Sequence, residues 1–190
     1  MCPPTEPARN ATQGRLGGAR RIQLPNTIHP GRFTANHRSP LTVFMIGMRI
    51  NKLHRIDKWW PVARAMRPMI AELSGQPDSG FLGAEVMRSG LRTLVFLQYW
   101  RSFDDLERFA TDRSASHLPA WKAFYRKANS GEAVGIFHET YCVDPGRFET
   151  VYGNMPAFGL GRVAGLSPAG GARNKARARM SISAGSSSAL

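Results

Sequence analysis

LTVFMIGMRI, residues 41–50, decides the fold, because it reads as a strand with apolar residues on both faces. Successive side chains of a strand point to opposite faces. One face carries Phe44, Ile46 and Met48, and the other carries Val43 and Met45. A sheet covered by helices on one side only would leave one of these faces in water. The strand therefore predicts that a second layer covers the sheet.

The segments around this strand follow the order β-α-β-β-α-β, which is the ferredoxin-like, split βαβ arrangement. We predict an α+β fold with a four-stranded antiparallel sheet and helices on one face. A second copy of the chain would cover the other face, so that a homodimer forms a dimeric α/β barrel. The predicted segments are strand 41–50, a helix from Asp57 to Gly75, strands 81–88 and 91–100, a helix capped by Ser102, a second helical piece near Pro119, and strand 134–143.

The charge is concentrated at the two ends of the chain. The net charge is +13, yet residues 41–159 hold 15 basic and 12 acidic residues, so most of the excess lies outside them. Segments rich in Arg, Gly, Ala and Ser cannot bury enough apolar surface to fold alone. We predict disordered basic tails at 1–40 and 161–190 around one domain at 41–160. Basic tails can bind phosphates non-specifically, but merely solvated tails are the favoured interpretation, so no specific nucleic-acid partner is expected.

Cysteine usage and hydropathy bear on where in the cell the protein is expected. Cys2 and Cys142 are the only cysteines, which is too few for a disulfide framework or a zinc site. No run approaches the ~20 apolar residues that a membrane-spanning helix needs. The first 40 residues also lack the apolar core of a secretory signal. We therefore expect a cytoplasmic protein without a membrane span.

The last predicted strand carries three groups that can hold or move protons: His138, Glu139 and Tyr141. His138 and Glu139 are neighbours, so they point to opposite faces of the sheet. If the histidine face lines a cavity, His138 is the candidate general base, since histidine changes its charge near neutral pH. If the other face does, Glu139 and Tyr141 are the pair that handles protons. The sequence leaves both alternatives open, beside a purely structural role for these residues.

Four further residues are candidates for contact with a small-molecule substrate. Trp100 and Trp121 would form apolar walls, although core packing also explains tryptophans in a small domain. His117 lies at the break before the last helical piece and is an acid–base candidate or a helix cap. Asn154 would close the cavity mouth or form a turn. No Gly-rich phosphate loop, HExxH motif or paired-cysteine motif is present, so no metal, flavin or nicotinamide site is predicted.

Seven short motifs in order give the chain its resemblance to a known family. It resembles the small bacterial and fungal proteins grouped with the fumagillin-pathway polyketide monooxygenase, most of which are labelled only as a domain of unknown function. The resemblance covers roughly residues 41–160 and neither tail. In that family Trp is frequent where this chain has Phe137. The motifs are 51–53 (NKL), 59–62 (WWPV), 79–83 (SGFLG), 98–103 (QYWRSF), 119–121 (PAW), 135–141 (GIFHETY) and 152–156 (YGNMP).

The resemblance implies the dimeric α/β-barrel superfamily, whose antibiotic-biosynthesis monooxygenases use dioxygen without metal or flavin. It implies oxidation of a small aromatic or polyketide-type metabolite of secondary metabolism, with His138 or Glu139 as base and Tyr141 and Asn154 as donors. One alternative within the superfamily is a haem-dependent protein, with His117 or His138 as the iron ligand. An alternative from a different class is a binding or scaffold protein without turnover, whose basic ends contact nucleic acid or anionic lipid. The substrate and the oxidation site do not follow from the sequence.

Overall fold

The computed structural model describes residues 27–112 and 132–184, without the side chains of 65–72 and 77. Its strands are β1 (His29–Ala35), β2 (Leu41–Ile50), β3 (Phe81–Ser89), β4 (Thr93–Trp100), β5 (Val134–Val143), β6 (Tyr152–Met155) and β7 (Leu166–Pro168). Its α-helices are α1 (Ile56–Ser74), α2 (Phe103–Thr111), α3 (Leu160–Ala164) and α4 (Ala176–Ser183), and 3-10 turns span Pro77–Ser79 and Gly171–Arg173.

The main sheet has four antiparallel strands in the order β3-β4-β2-β5. With α1 after its first strand and α2 after its third, this is the predicted ferredoxin-like α+β fold. The predicted strands 41–50 and 134–143 have the observed bounds of β2 and β5. The second helical piece predicted near Pro119 lies outside the described residues.

Helices cover one side of this sheet, which we call the helix-facing side. Ile46, Met48 and Phe96 pack there with Val62 of α1 in the first core cluster. A second cluster joins Trp100 to Leu73 at the end of α1 and to Leu106 of α2. The other side of the four-stranded sheet, which carries Val43, Met45 and Leu97, has neither α1 nor α2 packed on it and is called the helix-free side below.

The start of α2 shows why the chain becomes helical there. The Ser102 hydroxyl accepts a hydrogen bond from the Asp105 N–H at 3.1 Å and so caps the helix, as predicted. Asp105 lies buried in the first turn, where a carboxylate suits the positive end of the helix dipole. Arg101 and Arg108 pair with it at 2.9 and 3.1 Å. This ionic cluster fixes α2 against the end of β4.

Both predicted tails carry regular structure in their described parts, which corrects the expectation of disorder for 27–40 and 161–184. β1 pairs with β6 and β7 in a second, three-stranded sheet. Leu160 and Ala169 are buried, and the buried Arg179 of α4 donates a hydrogen bond to Glu149 at 2.7 Å. β1 lies between β6 and β7, and pairing among these three strands satisfies their backbone groups.

Gly80 is required where α2 meets the chain before β3. Its φ is +77°, and an added Cβ would collide with the Asp105 carboxyl group. We expect Gly80→Ala to lower the free energy of unfolding by about 1–3 kcal/mol, since the substitution adds a steric conflict to the backbone strain. Gly90→Ala is the matched control, because Gly90 also has a positive φ, +63°, but open space around its Cβ position. Equal losses of unfolding free energy in the two variants, measured by urea unfolding, would contradict this explanation.

Candidate functional site

The register of β5 separates the two neighbouring candidate residues. Directly paired residues of antiparallel strands share a face. His138 pairs with Ile46, which belongs to the core under the helices, so His138 is on the helix-facing side. Glu139 pairs with Met45, and Tyr141 pairs with Val43, so both are on the helix-free side. The predicted opposition of His138 and Glu139 is therefore observed, and the three groups do not meet in one site of a single chain.

His138 is exposed and lies beside an aromatic ring. The centroids of the His138 and Phe44 rings are 5.9 Å apart, and the ring planes are inclined by 45°. Phe44 also packs against both core clusters, including the one that contains Trp100. The helix-facing side thus places the His138 imidazole at the edge of the apolar core.

Trp100 lies inside that core. Its side chain has no solvent exposure. The distance between ring centroids is 5.3 Å to Phe81 and 5.4 Å to Phe109. Its indole N–H donates a hydrogen bond to the Gln98 side-chain oxygen at 3.0 Å. The residue is a central part of the core, and its predicted contact with a substrate remains a prediction.

Glu139 and Tyr141 form a pair on the helix-free side. The Tyr141 hydroxyl donates a hydrogen bond to the Glu139 carboxylate, and both side chains are exposed. This hydrogen bond, together with the negative charge of Glu139, raises the pKa of Tyr141 above its ordinary value. Two residues of one strand that are two positions apart share a face, so the pair forms without help from another element.

The pair predicts a measurable change in tyrosine ionisation. Because the two largest causes of the raised pKa come from Glu139, the Glu139→Gln variant should lower the pKa of Tyr141 toward about 10. Tyr141 would then deprotonate at lower pH than in the unmodified chain. NMR titration of isotope-labelled tyrosine, assigned with Tyr141→Phe, measures the shift. An unchanged pKa in the Glu139→Gln variant would show that the hydrogen bond does not form.

The remaining candidates lie elsewhere. Asn154 belongs to the second sheet, where its side-chain oxygen accepts a hydrogen bond from the Gly31 N–H at 2.8 Å. Its φ of +50° is unusual for a residue other than glycine. His117 and Trp121 lie outside the described residues. The predicted roles of these three residues remain predictions.

The sequence analysis did not predict a buried ionic group on the helix-free side. Glu85 of β3 is only 6% exposed; it pairs with Arg162 of α3 and accepts a hydrogen bond from the Gly159 N–H at 2.7 Å. Burial raises the pKa of Tyr99 and of Tyr152 nearby, and the charge of Glu85 adds to both shifts. The only signal in the sequence is a carboxylate inside an otherwise apolar strand, because its partner is 77 positions away.

This ionic group attaches the segment around α3 to the helix-free side. The Val163 side chain packs directly over Gly83, where an added Cβ would collide with it. The segment therefore covers the part of the sheet formed by β3 and β4. The surface of β2 and β5 that carries Glu139 and Tyr141 stays outside this cover, and Tyr141 is 51% exposed.

Within residues 27–112 and 132–184, no group of three or more His, Cys, Asp or Glu residues could hold a metal ion. Over the same residues, no helix combines the length and apolar character needed to cross a bilayer.

A sequence profile decides the family. The profile described as monooxygenase af470-like matches residues 41–160, which run from the first residue of β2 to the first residue of α3. The chain belongs to the monooxygenase af470-like family. This agrees with the resemblance found in the motifs, and the match has the bounds of the predicted domain. No curated protein matches the chain.

Several solved structures resemble the chain at low sequence identity. An aldoxime dehydratase, OxdRE, solved with butyraldoxime, is 20% identical with a TM-score of 0.56, over 85% of this chain and 48% of that one. The chain described here, a member of the monooxygenase af470-like family, therefore spans about half the length of that enzyme. Two smaller proteins match with lower TM-scores. SnoaB, a cofactor-independent oxygenase from Streptomyces nogalater, is 13% identical with a TM-score of 0.38, over 55% of this chain and 93% of that one. A dimeric protein of unknown function with a ferredoxin-like fold from Bacteroides fragilis is 15% identical with a TM-score of 0.38, over 54% and 96%.

Proposed function

We propose that the protein is an enzyme that oxidises a small aromatic or polyketide-type metabolite with dioxygen, without a metal or flavin. The observation that carries the proposal is the position of His138, exposed on the helix-facing side beside Phe44. Membership of a monooxygenase-like family supports the reaction class. The proposal assigns the role of general base to His138.

The chemistry needs a base and an apolar surface more than it needs a cofactor. His138 takes a proton from a phenol or enol, and the resulting anion passes an electron to dioxygen. Recombination gives a hydroperoxide at the neighbouring carbon, and loss of water leaves a carbonyl. In balance, a CH₂ group and O₂ give C=O and H₂O, so one oxygen atom enters the product. A site with little water favours the step, since water would protonate the anion.

The geometry favours His138 over Glu139 as the base. Glu139 is on the helix-free side, away from α1 and α2, and its carboxylate already accepts the Tyr141 hydrogen bond. His138 lies where sheet and helices form two layers, and an apolar pocket between layers is the usual place for a small ligand. Phe44 would form part of its wall.

We also propose that two copies of the chain associate through the helix-free side. The segment around α3 covers β3 and β4, so the free area is the surface of β2 and β5. Val43, Met45 and Phe137 are half-buried there, around the exposed pair of Glu139 and Tyr141. A second copy would remove this apolar surface from water. A solution mass of a single chain at micromolar concentration would contradict the association.

Oxygen consumption tests the proposed reaction. The purified full chain is incubated with a panel of phenols, hydroquinones and enolisable aromatic ketones, before and after treatment with a metal chelator. We expect consumption in proportion to the protein, at the same rate after chelation and without added flavin. A rate that depended on added flavin or metal would contradict the proposal.

A haem-binding function is the second candidate, because an exposed histidine beside an aromatic ring on the helix-facing side also suits a haem. His138 would be the iron ligand among the described residues, since imidazole is a common axial ligand. When bound, the haem would supply the redox chemistry. Addition of haem tests this directly, because a saturable Soret band that is lost in the His138→Ala variant would support it. The absence of such a band would leave the first proposal as the better one.

A further inference from the structure

One end of the main sheet presents exposed apolar side chains among positive charges. We call it the tip surface and define it as residues 51–60, which join β2 to α1, and residues 88–92, at the turn between β3 and β4. Leu91 is 83% exposed, Ile56 58%, Trp60 55% and Leu53 44%. They are four of the ten large hydrophobic residues found exposed among the described residues.

Backbone contacts hold the two parts of the tip surface together. The Ile50 N–H donates to the Arg92 carbonyl at 2.7 Å, and the Arg92 guanidinium donates to the Asn51 carbonyl at 3.5 Å. The Trp59 indole N–H donates to the Leu53 carbonyl at 3.0 Å and ties the loop to the start of α1. Trp60 packs edge-on against Trp59, with ring centroids 5.9 Å apart. The exposed apolar groups are therefore held on one ordered surface.

The charge of the tip surface is strongly positive. Its two segments contain one acidic residue, Asp57, and five basic residues. The basic residues are Lys52, Arg55, Lys58, Arg88 and Arg92. Asp57 pairs with Arg55 at 2.8 Å, and Glu132, which is mostly exposed, pairs with Lys52 at 3.5 Å. Three of the five cations thus have no ion pair with an acid of the tip surface or with Glu132. Apolar groups at the ends of loops, surrounded by lysine and arginine, suit an anionic lipid surface.

We propose that the tip surface binds peripherally to membranes that contain anionic lipids. Leu53, Ile56 and Leu91 would enter the boundary between headgroups and acyl chains, and Trp60 would lie at the headgroup level, where indoles are enriched. Each lysine or arginine near the surface would strengthen the attraction about fivefold. Nucleic acid fits this surface less well, since aliphatic side chains contribute little to phosphate contacts or base stacking. The inference is independent of the proposed oxidation.

Vesicle sedimentation of the full chain tests the proposal. Vesicles of phosphatidylcholine alone are compared with vesicles that also contain phosphatidylserine, at low and high salt. We expect binding only to the anionic vesicles, weakened by salt through screening. The double variant Trp60→Ser, Leu91→Ser should bind at least about tenfold more weakly, because it removes apolar groups that enter the lipid. Far-ultraviolet circular dichroism confirms that the variant folds.

The matched control is Val151→Ser, Phe158→Ser, which removes two exposed apolar side chains outside the tip surface and should bind like the unmodified chain. Failure to bind anionic vesicles would overturn the proposal. Binding that survives the Trp60 and Leu91 changes would also overturn it, because other basic segments would then be responsible. So would a nucleic-acid duplex that displaces the vesicles and loses affinity in the same variant, or a concentration-dependent rise in mass that this variant abolishes.

Discussion

Replacement of His138 by glutamine is expected to lower substrate-dependent oxygen consumption by about 10²- to 10⁴-fold, which is the usual contribution of a general base. Glutamine keeps the size and polarity of the side chain but cannot accept the proton. His138 is exposed at the edge of the core, so the change should leave the free energy of unfolding within about 0.5 kcal/mol. Rates with the most active phenol or ketone of the panel, measured over a range of pH, give the result.

Glu139→Gln is the control, because it changes the neighbouring residue on the opposite side of the sheet. We expect this variant to keep most of the activity. Lower oxygen consumption by Glu139→Gln, together with full activity of His138→Gln, would place the chemistry on the helix-free side. This result would contradict the assignment of the base. Restoration of activity in the His138→Gln variant at high pH would support it, since the substrate then loses its proton to water.

Replacement of Trp100 by alanine is expected to lower the free energy of unfolding by about 3–5 kcal/mol, as for other fully buried aromatic residues. The change removes the contacts with Phe81 and Phe109 and leaves the Gln98 oxygen without its indole donor. Urea unfolding followed by circular dichroism measures the loss. Trp100→Phe should cost clearly less, because most of the ring volume remains.

Trp60→Ala is the matched comparison for this prediction. Trp60 is 55% exposed, so its loss should change stability by less than about 1 kcal/mol. If Trp100 were instead the wall of an open cavity, its truncation would leave less of a packing defect. A loss for Trp100→Ala no larger than that for Trp60→Ala would therefore contradict its place in the core.

Long apolar segments made the main sheet predictable. β2 and β5 are each ten residues long, and between them a capped helix and a short Gly-containing connection gave the βαββαβ order. The second sheet was not predictable in the same way. β6 has four residues and β7 three, and β1 contains both a proline and a glycine, which are depleted in strands. These strands are stabilised by pairing with one another, which is a tertiary effect.

The candidate site was predictable in part. Alternation along a strand placed His138 and Glu139 on opposite faces, but the apolar residues on both faces of β2 left the helix-facing side undecided. The structure decides it through the packing of Ile46, the register partner of His138. The covering of β3 and β4 by the segment around α3 depends on Glu85 and Arg162, which are too far apart in sequence for a local pattern to reveal.

Incubation with isotopically heavy dioxygen shows whether the chain transfers oxygen from dioxygen to its substrate. The purified chain, shown to be free of flavin, haem and metal, is incubated with the most active substrate of the panel, and the product is analysed by mass spectrometry. We expect one heavy oxygen atom in the product, with the other in water, and loss of this incorporation in the His138→Gln variant. A product that contains no oxygen from dioxygen, or incorporation that is unchanged in that variant, would contradict this expectation.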